Sequence, residues 1–407
     1  MLEIENIKYV LKKLWARKSR SFLTILSIFI GITTIFIFIS FGLGLYLYVD
    51  EVSQTQGMNK FIVQAKGGGG APGLDNTFKI TDDDVEVVEK VSGITSTAPF
   101  YIKTVEIEKD NKRNYAFLMG HGTTTSELSL VSDLMTVNLL EGRNLKDGDL
   151  SKVVLGYNYI LNDKIFSKGF DTGDKISING KIFEIVGFYE PIGNPGDDSN
   201  VYLTMDATEL LFDDEELSYG MIVGEVTDVK NLDSIVASVE KDLRKSRDQE
   251  EGKEDFFVQT FQEVYEQFSM VLNIIIGFII LIALISVIVS AINTANTMIT
   301  SVIERIPEIG IMKSIGATNE TIRDMFLLES SILGGLGGVI GLLLGYIITS
   351  TAANILDSLG WGFLSPSYNI YLFIGLFLFA VVVGTLSGVI VAIQASKQNP
   401  VDALRYE

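Results

Sequence analysis

The residues that could carry chemistry in this chain are few. His121 is the single histidine and there is no cysteine, so imidazole and thiolate together offer a transition metal at most one ligand. With Gly120 and Gly122 on either side, His121 reads as a turn residue. Acids gather at Asp82–Asp84, at Asp197 and Asp198, and at Asp213–Glu216. None has the ligand spacing of a calcium loop, so they read as a helix start and solvated faces. The run Gly67–Gly70, with Pro72 and Gly73 after it, has the glycines of a phosphate loop. No Gly-Lys-Ser/Thr follows, there or elsewhere, so no Walker A motif is present, and a flexible loop is expected. The serines have neither a histidine base nor a G-x-S-x-G elbow. The sequence therefore predicts no catalytic residue, no metal and no cofactor.

A different kind of site lies at Glu304–Ala317, between two long apolar runs. Pro307 suits a first helical turn, where its missing N–H costs nothing. Glu308 and Lys313 suit the positive and negative ends of a helix dipole, and Gly316 suits a left-handed stop. Ile309, Met312 and Ile315, with Ile311, form an apolar edge. Such a helix is roughly 13 Å long, too short to cross a bilayer but suited to lying against another protein.

The elements that must position it are membrane helices. The stretches Ser21–Val49, Gln267–Ile303, Ser330–Leu356 and Ser358–Ser396 carry no charge. About 20 apolar residues cross a bilayer core, and the last stretch is polar up to Asn369, which places its span at Ile370–Gln394. Between Asp50 and Glu266 there are 41 acids and 21 bases, a balance of −20, so the net charge of −19 lies in this segment and the rest of the chain sums to about +1. That acidic segment argues against nucleic-acid binding. Lys8, Lys12, Lys13, Arg17, Lys18 and Arg20 precede the first span, whereas Ala352–Asn369 has no Lys or Arg. The positive-inside rule then predicts cytoplasmic termini, a cytoplasmic Glu304–Ala317 and an extracytoplasmic 50–266. Ile4, Ile7, Val10, Leu11, Leu14 and Trp15 share a face opposite Lys8, Lys12 and Lys13, which predicts a basic amphipathic helix at the inner interface. The apolar run ending at Val49 is too long for a cleaved signal peptide. Gly334, Gly337, Gly338, Gly341 and Gly345 in the third span, and Gly384 and Gly388 in the fourth, predict close helix packing.

Within 50–266, Thr81 with Asp82–Asp84 predicts a helix to about Lys90. Strands are expected at Lys60–Gln64, Val105–Glu108, Tyr115–Met119, Val153–Leu155, Lys175–Ile178, Ile182–Phe188 and Phe256–Thr260, with a helix at Asn231–Arg247. Asn179-Gly180 predicts a two-residue hairpin. The fold class is thus an α-helical membrane protein with four transmembrane helices plus a mixed α/β extracytoplasmic domain, an α/β base enclosing a β-rich insertion. Phe261–Gln267 is expected to run straight into the second span as a stalk.

These residues match a known pattern. Glu304-Arg305, Glu308-Ile309-Gly310, Lys313 and Gly316-Ala317 resemble the E-R-x-x-E-I-G-x-x-K-x-x-G-A segment of MacB-like and FtsX-like ABC transporter permeases. Pro400…Ala403-Leu404-Arg405 is similar to their P-x-x-A-L-R ending, and Glu141-Gly142-Arg143, Val154-Leu155-Gly156, Gly173-Asp174-Lys175 and Ile185-Val186-Gly187 to their external core domain. The resemblance implies a non-catalytic permease subunit with a coupling helix docking on a separate ABC ATP-binding subunit through Glu304, Arg305, Glu308, Ile309, Gly310, Lys313 and Gly316. It also implies a second permease copy or a paralogue, with membrane lipids around the spans, for export, extraction or mechanotransmission. The expected divisions are 1–20 amphipathic helix, 21–49 first span, 50–266 external core domain with its insertion at about 98–215, 267–300 second span and stalk, 301–326 coupling-helix loop, 327–352 third span, 353–369 external loop, 370–394 fourth span and 395–407 tail. A membrane-tethered extracytoplasmic enzyme, and a sensor or adhesion module without an ATPase partner, are the alternatives. No motif marks a substrate.

Overall fold

A computed structural model describes residues 18–56, 59–65, 79–135, 138–213 and 218–399. The expected amphipathic helix, the Gly67–Gly73 loop, most of the Asp213–Glu216 cluster and the Pro400–Arg405 tail lie outside the described residues.

Helix α1 (Lys18–Gln56) is followed by β1 (Lys60–Ala65), α2 (Asp82–Glu89), β2 (Ile94–Lys109), β3 (Lys112–His121) and α3 (Thr125–Met135). Next come β4 (Leu139–Gly142), β5 (Lys152–Leu155), β6 (Lys175–Ile178), β7 (Lys181–Tyr189), β8 (Val201–Thr204), α4 (Met205–Leu211) and β9 (Met221–Val226). The chain continues through α5 (Leu232–Ser246), β10 (Phe256–Thr260), α6 (Phe261–Ile303), α7 (Ile306–Ser314), α8 (Asn319–Ser358) and α9 (Ile370–Ser396). Two compact units result. One comprises Met1–Leu45, Val271–Ile355 and Leu364–Glu407, and the other Tyr46–Met270 and Leu356–Phe363.

The second unit is built on one sheet, in the order β10-β1-β9-β2-β3-β8-β5-β7-β4, with β6 bridging β2 and β7. Base and insertion are not separate sheets, because the long β2 belongs to both. Its first half pairs with β9 and its second half with β3. Side chains alternate across a strand, and both faces are covered. Tyr101, Val105 and Ile107 point one way, Phe100 and Ile102 the other. Helix α5 lays Leu232, Ile235, Val236, Val239 and Leu243, at helical spacing, on the first face. Helix α3 lays Leu130 and Val131 on the opposite one. The Asn179-Gly180 turn has φ of 47° and 78°, the twisted two-residue hairpin geometry that joins β6 to β7.

Three helices of this unit open with the same reciprocal bond pattern. Asp84 accepts from the Thr81 N–H at 2.8 Å, Glu127 from the Thr124 N–H at 3.0 Å, and Glu263 from the Thr260 N–H at 2.8 Å. The last box starts α6 immediately after β10. Leu356–Phe363 also packs within this unit: Lys164 Nζ donates to the Leu359 carbonyl at 2.7 Å, and Phe363 N–H to the Gly193 carbonyl at 3.4 Å.

The first unit is helical. Among the described residues four helices, in α1, α6, α8 and α9, are long and apolar enough to cross a membrane. The third helix presents glycine on two sides. Gly334 and Gly338 face Ala380 and Gly384 of α9, while Gly337, Gly341 and Gly345 face Ile28, Ile32 and Phe36 of α1; Gly388 lies against Ser330. A Cβ at Gly341 would stand 2.9 Å from Ile32 Cβ, closer than packed carbons allow. Thr33 Oγ1 donates to the Gly341 carbonyl at 3.0 Å, a polar contact that such close approach makes possible.

Candidate functional site

Helix α7 begins on Arg305 (φ −112°, ψ 9°), with Pro307 and Glu308 in its first turn and Lys313 in its last. Its end is a Schellman motif. Gly316 N–H donates to the Lys313 carbonyl at 3.1 Å and Ala317 N–H to the Met312 carbonyl at 3.0 Å. Gly316 takes φ +105°, a conformation open to glycine because it has no Cβ.

The helix has two different sides. Ile309 and Gly310 are buried, and Ile309 and Met312 pack with Met298, Val302, Ile322 and Phe326. Pro307, Ile311, Ser314 and Ile315 are exposed, Ile311 to 53% and Ile315 to 80%. The apolar edge expected from the sequence is therefore split. Residues two apart lie about 200° apart around a helix, so Ile309 and Ile311 cannot share a face.

Polar anchors hold the inward side. Arg305 is 3% exposed and its Nη1 donates to Glu329 Oε2 at 2.8 Å. Its Nε lies 3.5 Å from Glu308 Oε2, and its guanidinium sits 5.3 Å from the centre of the Phe326 ring. At the other end, Lys313 Nζ donates to the carbonyls of Ser396 at 2.6 Å and Gln398 at 2.8 Å. A cation there suits the unsatisfied carbonyls that close α9. Of the residues singled out in the sequence, Arg305, Ile309 and Gly310 thus point inward and Lys313 bonds to the end of α9. Glu308 is half-exposed, and Glu304 and Gly316 are exposed. Sequence reasoning missed the partners Glu329 and Phe326. The available signal was Glu329 itself, a lone acid beside an apolar run that needs a counter-charge.

The sheet unit holds no comparable constellation. His121 is not a turn residue: it ends β3, fully buried, with Nδ1 2.7 Å from the Gly122 carbonyl. The strand runs on because His121 pairs with Phe100 on one side and Thr204 on the other. Burial lowers the imidazole pKa, which keeps the ring neutral. Asp84 receives Arg247 Nε at 2.9 Å and Nη2 at 2.6 Å. Asp198 accepts from the Ile192 and Gly193 N–H groups at 2.7 and 3.2 Å, organising its own loop. Desolvation raises the carboxyl pKa of both Asp197 and Asp198. Among the described residues no group of three or more His, Asp or Glu could hold a metal ion.

Four apolar helices, a large mixed α/β domain between the first and second, and a short capped helix between the second and third define a membrane protein of the permease class. Residues 21–242 match the MacB-like periplasmic core domain, and residues 270–400 match the FtsX-like permease C-terminal domain. The chain belongs to this MacB- and FtsX-like family of ABC transporter permeases, and its domain is of the extracytoplasmic kind. Over 401 residues it is 30% identical to an uncharacterized ABC transporter permease of Methanocaldococcus jannaschii, covering 98% of each chain. It is 26% identical over 417 residues to the macrolide export ATP-binding/permease protein MacB of Bdellovibrio bacteriovorus, covering 99% of this chain and 62% of that protein. The crystal structure of the periplasmic region of MacB from Actinobacillus actinomycetemcomitans aligns at 19% identity with a TM-score of 0.43, over 53% of this chain and 95% of that one.

Proposed function

We propose that this chain is the transmembrane subunit of a transporter in which a separate ATP-binding subunit docks on α7 and drives movement of the sheet domain. One observation carries this reading. A nine-residue helix, anchored on its inner side, turns Pro307, Ile311 and Ile315 outward. An apolar stripe on a short rigid helix is the form in which one protein presents a helix to another's groove. Arg305, Ile309, Gly310 and Lys313 then hold the helix, while Glu304, Glu308 and Gly316 flank the outward stripe.

Orientation follows from charge. Basic residues before α1 and around α7 support a reading with the termini and α7 in the cytoplasm and the sheet domain outside the cell membrane. On this reading ATP hydrolysis belongs to the separate ATP-binding subunit that docks on α7. A second copy or a paralogous permease completes the assembly, and lipid or that copy covers the exposed Ile, Val and Phe side chains of α6. Glycine seams between helices favour firm packing over a substrate path. Work is therefore delivered to the external domain, for export, extraction or force transmission.

The test is co-purification of the full-length protein from its own cells with an ABC ATP-binding protein. Wild type is expected to retain it and Ile311→Asp with Ile315→Asp to lose it. Since no native cysteine exists, Ile315→Cys should react with a membrane-impermeant maleimide only from the cytoplasmic side. Labelling from outside, or an undiminished complex in the double variant, would overturn the reading.

A further inference from the structure

We propose that Glu329 is a positioning residue for energy coupling: through Arg305 it clamps α7 to α8, so that a push on α7 tilts α8 instead of bending the α6–α7 junction. This rests on the reading of α7 as the docking helix. The junction between α6 and α7 is only two residues long, Glu304 and Arg305. Beyond the end of α6, Glu304 N–H donates to the Thr300 carbonyl at 3.2 Å and Arg305 N–H to the Val302 carbonyl at 3.0 Å. A helix of nine residues has little stability of its own, and the contacts of Ile309 and Met312 are apolar and therefore non-directional.

The Arg305–Glu329 pair supplies direction. Both side chains are almost wholly buried, Phe326 lies against the guanidinium, and Glu308, in the first turn of α7, shares the same cation. For stability alone this is a poor solution, since a buried ion pair is often no better than apolar residues of the same volume. A planar guanidinium, however, holds its N–H donors in fixed directions, and here Nη1 is directed at Glu329 while Nε faces Glu308. It thus fixes the angle between α7 and α8 in a way that apolar packing does not. Lys313 plays the matching part at the opposite end, on the closing carbonyls of α9.

The test compares the full-length protein in lipid nanodiscs with Glu329→Gln, with the apolar pair Arg305→Met/Glu329→Leu, and with the exchange Arg305→Glu/Glu329→Arg. A spin label at Ile311→Cys reports the mobility of α7 without any ATPase. The apolar pair is expected to unfold at the wild-type temperature yet show a severalfold larger mobile component, as does Glu329→Gln; the exchange restores an immobile label. In complex with the ATP-binding subunit, ATP-dependent movement of labels on the sheet domain should fall about tenfold in the apolar pair, while the subunit stays bound. An immobile label in Glu329→Gln and the apolar pair overturns the clamp. So does undiminished ATP-driven movement in a variant whose label is loose. Should wild type itself bind no ATP-binding chain, the docking reading fails, and label mobility still decides the clamp.

Discussion

The two units solve the problem of fit in opposite ways. In the helical unit the fit is steric. Gly337, Gly341 and Gly345 leave no room between α8 and Ile28, Ile32 and Phe36 of α1, and polar contacts are few and specific. In the sheet unit the fit is made by alternation and pairing. Phe61 and Val63 face one core while Ile62 faces the other, and ion pairs such as Asp84–Arg247 join helices that pack on the same face. Apolar chains gain little from packing against each other in a lipid solvent, so close backbone approach becomes the source of cohesion. In water the gain comes from removing side chains from solvent, and polar groups left inside need partners. Atoms added along the α8 glycines should therefore break the helical unit, and loss of a buried ion-pair partner should weaken the sheet unit.

The largest effect is expected from Gly341→Leu. The new side chain must enter a space already occupied by Ile32 and the Phe29 carbonyl, and overpacking of this kind costs about 3 kcal/mol or more. Thermal denaturation of the purified full-length protein should show it, together with loss of a monodisperse peak. Gly277→Ala in α6 is the control. Nothing lies within 4 Å of that position, so the substitution should leave stability unchanged or raise it slightly through helix propensity. Equal damage from both would mean that close approach along the α8 glycines is not what holds the helical unit together.

Next comes Arg247→Ala in the sheet unit. Arg247 serves Asp84 through two nitrogens and also donates to the Lys79 carbonyl at 2.7 Å. Its loss leaves the buried Asp84 with only the Thr81 contacts, at a cost of about 2–3 kcal/mol. Chemical denaturation of the full-length protein, followed by a probe in the sheet unit, should report it. The further variant Asp84→Asn/Arg247→Leu should recover part of the loss, because neither residue is then an unpaired charge.

The same contrast governs what could be read from sequence. The four long helices were legible because an uncharged apolar run of that length is rarely anything but a membrane span, and α7 because Pro307, Glu308, Lys313 and Gly316 mark its ends. The Asn179-Gly180 turn was legible because few residue pairs adopt its backbone angles. Strand β2 was visible only in part. Its first half contains Pro99 and draws its partner, β9, from more than a hundred residues away, so local pattern carried little of it. Helix α3 was missed although Thr124 and Glu127 are spaced as a capping box, and β9 was missed because Gly224 interrupts its run, where a Cβ would collide with the Phe61 ring. At the site, the residue types of α7 were legible but not their directions. Which of Arg305 and Ile311 points inward depends on α8 and α9, which no spacing within α7 reveals.

A smaller, purely local effect belongs to the β6–β7 turn. Gly180 has φ +78° and nothing within 4 Å of where a Cβ would stand. Gly180→Ala therefore tests backbone conformation without steric contact, at about 1 kcal/mol. Exchanging the turn for Gly-Gly should cost less than this. A loss as large as that of Arg247→Ala would mean that the hairpin, rather than the paired layers, controls the sheet unit.

The smallest effect is expected from His121, and its sign is fixed. The folded ring has its pKa lowered by burial from the usual 6.5, so below that value the unfolded chain takes up a proton that the native state resists. Stability is then full above pH about 6.5 and declines as pH falls toward the lowered value. Asp197 and Asp198 act in the opposite sense. Their raised pKa lets the native state bind protons first as pH falls, and comparison with His121→Gln subtracts their share. His121→Gln removes the titrating group. It should flatten the slope of denaturation midpoint against pH between about 7.5 and 5.5, whatever constant loss it brings. An unchanged slope would show that the buried ring reaches solvent in the native state, and that the interior of the sheet unit is less closed than its paired layers imply.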